Sequence, residues 1–229
     1  MKTSRHTLYL AAGILALVAT SCGKKDADKI GEAQACLDSA TAATATACME
    51  KVSGLESTQA YVIRCAATFI AESFDTPTKI TSAYNNMNGT GSGASDASSS
   101  LTAMSALTFS TTTAADANLA YCNKSASKGL MMLSGIANMA THLKSFASCT
   151  TNFDATCLTN ATNDSATQAA VGAAAAAAYT SSCAGTQTTN AQFCTQFSTA
   201  VTAAGGTSNS SCLGKQLLAQ YNNTTATCP

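Results

Sequence analysis

The sequence predicts an all-α fold, a helical bundle stapled by disulfides. Three observations carry that expectation. Apolar residues recur at helical spacing behind residues that suit helix starts. Six consecutive alanines, Ala173 to Ala178, favour helix intrinsically. Eleven cysteines are scattered singly along 229 residues, with no C-x-x-C pair among them.

The chain opens with the three parts of a secretory signal in residues 1–21. Lys2 and Arg5 come first, an apolar run from Leu8 to Ala19 follows, and the small residues Thr20 and Ser21 precede Cys22. The apolar run falls short of the about 20 residues a membrane-spanning helix needs. Next comes KKDADKIGE, residues 24–32, with six charges. It reads as a solvated tether, so residues 22–32 lead into a single cysteine-rich domain over 33–229.

Within that domain the expected helices follow in order. In SGLESTQAYVIRCAATFIAESF, Ser53 and Glu56 are spaced as a capping box, and Val62, Cys65, Phe69 and Ile70 recur near helical spacing. Thr76-Pro77 ends that helix and starts another, which Asn88-Gly89 stops. NGTGSGASDASSS, residues 88–100, has the composition of a loop. Helices are expected from Asp96 to Phe109 and from Ala114 to about Ser125. GLMMLSGIANMATHLKSF, residues 129–146, then aligns Met132, Ile136, Met139, Leu143 and Phe146 on one stripe.

Ser165 and Gln168 again match a capping box, opening a helix that runs through the alanines to about Ser181. Having no large side chain on any face, it lets neighbours come close, which places it in the middle of the bundle. Helices over about Thr189–Ala203, ended by Gly205-Gly206, and Ser211–Tyr221 complete the series.

A faint internal repeat overlays CMEKVSGLESTQAYV, from Cys48, on CLTNATNDSATQAAV, from Cys157. Another cysteine, Cys36 or Cys149, precedes each. On this pattern the domain consists of two similar halves, 33–127 and 145–229, joined by the methionine-rich helix; shared helix-start grammar is the alternative source of the match.

The N-terminus resembles the bacterial lipoprotein class, whose lipobox sets small or aliphatic residues before a cysteine that is lipidated and becomes residue one. Here Leu17, Val18, Ala19, Thr20 and Ser21 lead to Cys22, with Ala19 standing where that class normally carries Leu. The resemblance covers only the first two dozen residues. It implies a protein of the bacterial cell envelope held to a membrane by lipid on Cys22, and Gly23 after the cysteine implies outer-membrane delivery.

Cysteine arithmetic fits this. Lipid on Cys22 leaves Cys36, Cys48, Cys65, Cys122, Cys149, Cys157, Cys183, Cys194, Cys212 and Cys228, enough for five disulfides in an oxidising compartment. Metal binding is disfavoured by the lack of C-x-x-C and by a single histidine, His142, after the signal. Ten cysteines allow many connectivities, and pairing each with its neighbour is the economical one: 36–48, 65–122, 149–157, 183–194 and 212–228.

Composition and missing motifs bound the function. Beyond residue 21 the chain holds ten Lys plus Arg against twelve Asp plus Glu, without the clustered basic residues that nucleic acid demands. From Cys149 onward only Asp154, Asp164 and Lys215 are charged, which fits either a domain whose solubility rests on uncharged polar groups, the first reading, or a surface that associates with an envelope partner or a second copy. No G-x-S-x-G, H-E-x-x-H or phosphate-loop lysine motif occurs, and neither a catalytic residue, a cofactor nor a metal is expected. The paired carboxylates Glu50 and Glu56, or Glu72 and Asp75, fall near helix ends where acids serve as caps. His142 is expected to be half-exposed and structural. The expected role is therefore structural or protein-binding. The alternative is a carrier of a small hydrophobic ligand lined by Met131, Met132, Met139 and Phe146, since methionine adapts to irregular surfaces.

Overall fold

The computed structural model describes residues 25–74, 107–146, 149, 153–183 and 191–228; among these, nine helices and no strand occur. They are α1 (25–37), α2 (Ala45–Glu50), α3 (Thr58–Ala71), α4 (Thr112–Lys124), α5 (Lys128–Ser145), α6 (Ala155–Asn163), α7 (Ser165–Ser182), α8 (Ala191–Ala203) and α9 (Ser210–Tyr221). The expected helix from Pro77 lies outside the described residues. So does most of the one from Asp96, although its last residues, Leu107 to Phe109, are not helical.

Helix starts are set by side chains that accept an otherwise unsatisfied N–H. Ser57, rather than Ser53, caps α3 by accepting from Ala60 N at 3.3 Å. Ser53 lies one residue before Gly54, whose φ of +76° belongs to the turn between α2 and α3. Thr111 caps α4, Asp154 caps α6 and Asn209 caps α9 in the same way. Asp164, one residue before the expected Ser165, caps α7 by accepting from Thr167 N at 2.7 Å. The Thr167 hydroxyl first, and then this backbone bond, hold the Asp164 carboxyl below its ordinary value of 3.8. Gln168 turns away from the cap and donates to Thr162 O.

Three helices depart from the sequence reading. The tether expected over 22–32 is helical from residue 25. Opposite charges three apart, Lys25 with Asp28 and Asp26 with Lys29, suit a helix. Ile30, Ala33 and Leu37 share one face and pack on Val52, Leu55, Ala60 and Ile63 as a small satellite core. The other two, α2 and α6, have six and nine residues and offer too few turns for a periodic signal.

Packing runs in chain order at first: α2 on α3, α3 on α4, and α4 on α5. Helix α5 then meets α7, and α7 also touches α6, α8 and α9. The methionine-rich helix is thus the join between two sets of helices, and the alanine-rich helix is the hub of the second. The main core extends from Cys65 on α3 to Tyr221 on α9.

Small residues bring the hub's neighbours to backbone contact. A Cβ on Gly172 would collide with the Ser210 carbonyl, and one on Gly214 with the Gln168 carbonyl. At the α5 crossing a Cβ on Gly135 would lie 2.8 Å from Ala178 Cβ and 2.9 Å from Ala174 O. The first half uses larger groups. Phe69, Phe74 and Phe109 pack with ring centroids 5.0–5.7 Å apart. Fully buried Asn118 on α4 donates to Cys65 O of α3 at 3.1 Å and accepts from Ser134 of α5, tying three helices together.

Five disulfides join Cys36–Cys48, Cys65–Cys122, Cys149–Cys157, Cys183–Cys194 and Cys212–Cys228, with Cα separations of 4.8–5.6 Å. These are the nearest-neighbour pairs that the sequence suggested. In both segments of the faint repeat a short helix is tied back to a preceding cysteine and followed by a long helix. The overlay sets Thr58 opposite Thr167, yet α7 starts earlier, at Ser165, and packs on different neighbours. The shared part is this local unit.

Candidate functional site

Two short patterns of the same form meet beside a disulfide. Tyr61 and Arg64 are one helical turn apart on α3, just before Cys65, while Tyr121 and Lys124 are one turn apart on α4 around Cys122. The Cys65–Cys122 bond sets the helices side by side and brings the Tyr61 and Tyr121 ring centroids to 6.5 Å. Helix α2 and the turn after it add Met49, Glu50, Ser53 and Glu56, and together these residues line a concavity of about 560 Å³.

Its floor is buried and its rim is charged. Tyr61 and Arg64 are 6% and 9% exposed, whereas Glu50, Glu56 and Lys124 are exposed. Arg64 donates from Nη2 to Val52 O at 2.8 Å, and its guanidinium lies 4.9 Å from the Tyr61 ring centroid. Tyr61 Oη donates to Glu56 and accepts from Lys124 Nζ at 3.1 Å. That second bond, above all, raises the Lys124 ammonium above its ordinary value of 10.5, so it is charged at neutral pH.

A second concavity, of about 470 Å³, lies between α1 and α3. Its wall is mostly aliphatic, with Ile30, Leu37, Val62, Ala66 and Ile70.

The residues singled out in the sequence are placed as follows. Met139 is 2% exposed in the main core, Met132 packs against that core, and Met131 and Phe146 are half-buried. None of the four lines either concavity. His142 is partly exposed, as expected, but has a partner from another helix: its Nε2 is 2.8 Å from Asp116 Oδ1, which also accepts from Asn138. Asp116 belongs to α4, so it is not among the i±4 neighbours of His142 on its own helix.

Glu72 accepts from both the backbone N–H and the hydroxyl of Ser110, at 2.7 and 2.8 Å, and so clamps the approach to α4. Asp75 lies outside the described residues, as does Cys22. Among the described residues, no cluster of three or more His, Cys, Asp and Glu could hold a metal ion, and no helix is long and apolar enough to cross a membrane.

The tyrosine and arginine of the concavity were missed from sequence. Their signal was the repeated Tyr-x-x-basic pattern touching a cysteine pair, which gains meaning only once the pairing is known.

Compared with known proteins, the chain matches no family model, no curated protein and no solved structure.

Proposed function

We propose that the protein is a lipid-anchored component of the bacterial cell envelope, with a structural or protein-interaction role and no catalytic one. The carrying observation is that ten of the eleven cysteines pair with one another. Cys22 therefore has no cysteine left in the chain to bond with, and it ends a signal-like segment that resembles a lipobox. Helix is already present at residue 25, where the described residues begin, so lipid on Cys22 would hold the domain close to the membrane surface. More than one acyl chain is needed for lasting attachment, which the resemblance to lipoproteins supplies.

The charge-poor stretch from Cys149 onward supports a protein-facing role, since little repulsion opposes a neighbour there. Outer-membrane delivery rests on Gly23 and the same resemblance.

Cys22→Ser tests the proposal in the native host. The unsubstituted protein is expected in the membrane fraction, released by detergent, and the variant in the soluble fraction with its five disulfides intact. A variant that stays with membranes while folded would remove lipid on Cys22 as the anchor.

A further inference from the structure

We infer that the concavity between α2, α3 and α4 is a binding site for a small organic carboxylate carried on an apolar or aromatic body. The starting point is the cost of Arg64. A guanidinium has five N–H donors and a permanent charge, and burying it without an opposite charge is unfavourable. Arg64 is 91% buried, yet among the described residues no carboxylate forms an ion pair with it. Among the described residues the guanidinium donates one hydrogen bond, to Val52 O, a neutral acceptor, and lies over the Tyr61 ring.

The two acids nearest to hand do not fill that role. Glu56 accepts from Tyr61, and Glu50 stands at the exposed rim. A carboxylate entering the concavity would supply the missing charge, and the fork of a guanidinium fits it with two parallel hydrogen bonds. Lys124, charged and held by Tyr61 on the same side, would add attraction at the mouth.

The remaining lining fixes the other end of the ligand. Tyr121 and Met49 are partly buried apolar surfaces on the wall, suited to a ring or short alkyl chain. The volume of about 560 Å³ falls within the range of small-molecule sites, and a few polar groups among apolar walls is their usual composition. Rigidity is already present. The Val52 bond holds the guanidinium, and Cys65–Cys122 fixes α3 against α4, so little ordering is left to be done on binding. This inference does not depend on the lipid anchor.

The test is an NMR titration of the folded, oxidised protein with phenylacetate and, in parallel, with phenylacetamide, the neutral compound of the same shape. Phenylacetate is expected to shift Tyr61, Tyr121 and Lys124 signals in one saturable process, at least tenfold tighter than the amide. Lys124→Met, a change at an exposed position, should weaken the acid severalfold and narrow its margin over the amide. Arg64→Met, if it folds, should abolish the preference for the acid. Equal binding of acid and amide, or no shift at these residues through the millimolar range, would overturn the assignment.

Discussion

The two sides of α5 are both helical and both stapled, but they are held together differently. Helices α2, α3 and α4 stack in chain order, with α1 laid on α3, and bulky groups hold them: a triad of phenylalanines, the buried amide of Asn118 and the stacked Arg64 and Tyr61. Helices α6, α8 and α9 instead gather round α7, where Gly172, Gly214 and alanines let backbones touch. Bulky packing around polar side chains leaves irregular concavities, and both that are described lie in the first half. Close backbone packing leaves little room between α7 and α9. A bundle poor in large apolar side chains gains less from burial, at about 25 cal/mol per Å², and so depends more on close approach and cross-links.

Among the disulfides one stands apart. Cys36–Cys48 in the first half and the three bonds of the second close loops with sequence separations of 12, 8, 11 and 16, while Cys65–Cys122 spans 57 residues. Loop entropy then assigns the long bond about 4 kcal/mol and each short one about 2.5–3. Replacing Cys65 and Cys122 together by alanine should therefore lower the unfolding free energy by about 4 kcal/mol in denaturant titrations. It should also loosen the Tyr61–Tyr121 pair. An unchanged midpoint would mean that Asn118 and the aromatic cluster hold α3 to α4 unaided.

The glycines sharpen the contrast further. Gly172→Ala puts a methyl group into the Ser210 carbonyl, and overpacking against backbone should destabilise by about 3 kcal/mol. Gly129 lies in α5 with nothing near its Cβ position, so Gly129→Ala should stabilise by up to about 1 kcal/mol through helix propensity. Thermal melts of the two variants should move in opposite directions. Movement in the same direction would show that the α7–α9 contact is not backbone to backbone.

The smallest expected effect is acid-dependent. Asp164 has its carboxyl pKa lowered by capping α7, so the folded state favours the ionised form. The stability this gives is present at neutral pH and is lost as pH falls below 3.8 and through the lowered folded value. Asp164→Asn, which still caps, should flatten that part of the stability curve against pH. An identical curve would place the acid sensitivity elsewhere.

Much of this fold was legible in the sequence for a physical reason. The alanine run had one consistent meaning, since small side chains suit a crowded hub, and α7 is that hub. Cysteines on short connections pair locally because little chain entropy opposes closure, and four of the five pairs follow that rule; Cys65 and Cys122 are neighbours only in cysteine order. Helix starts were legible only to within a few residues. Ser53, Ser57, Asp164 and Ser165 are all good caps, and the choice among them is made by neighbouring turns such as the one at Gly54.

The concavity was not legible, because its members are brought together by tertiary contacts. Tyr61 and Tyr121 are 60 residues apart in sequence, and Arg64 looks like any helical arginine until its burial is seen. The Met139 stripe illustrates the converse. Helical spacing alone cannot separate a core face from a ligand wall, and Met139 is in the core.

The most direct test of the account is the intact mass of the protein purified from its native membranes, measured without reductant and again after thiol alkylation. The account predicts a chain beginning at Cys22 with acyl groups attached, ten hydrogens lighter than the fully reduced form, and no alkylated thiol. A chain without acyl groups that takes up one alkyl group would contradict it, making Cys22 a free thiol and the anchor something other than lipid.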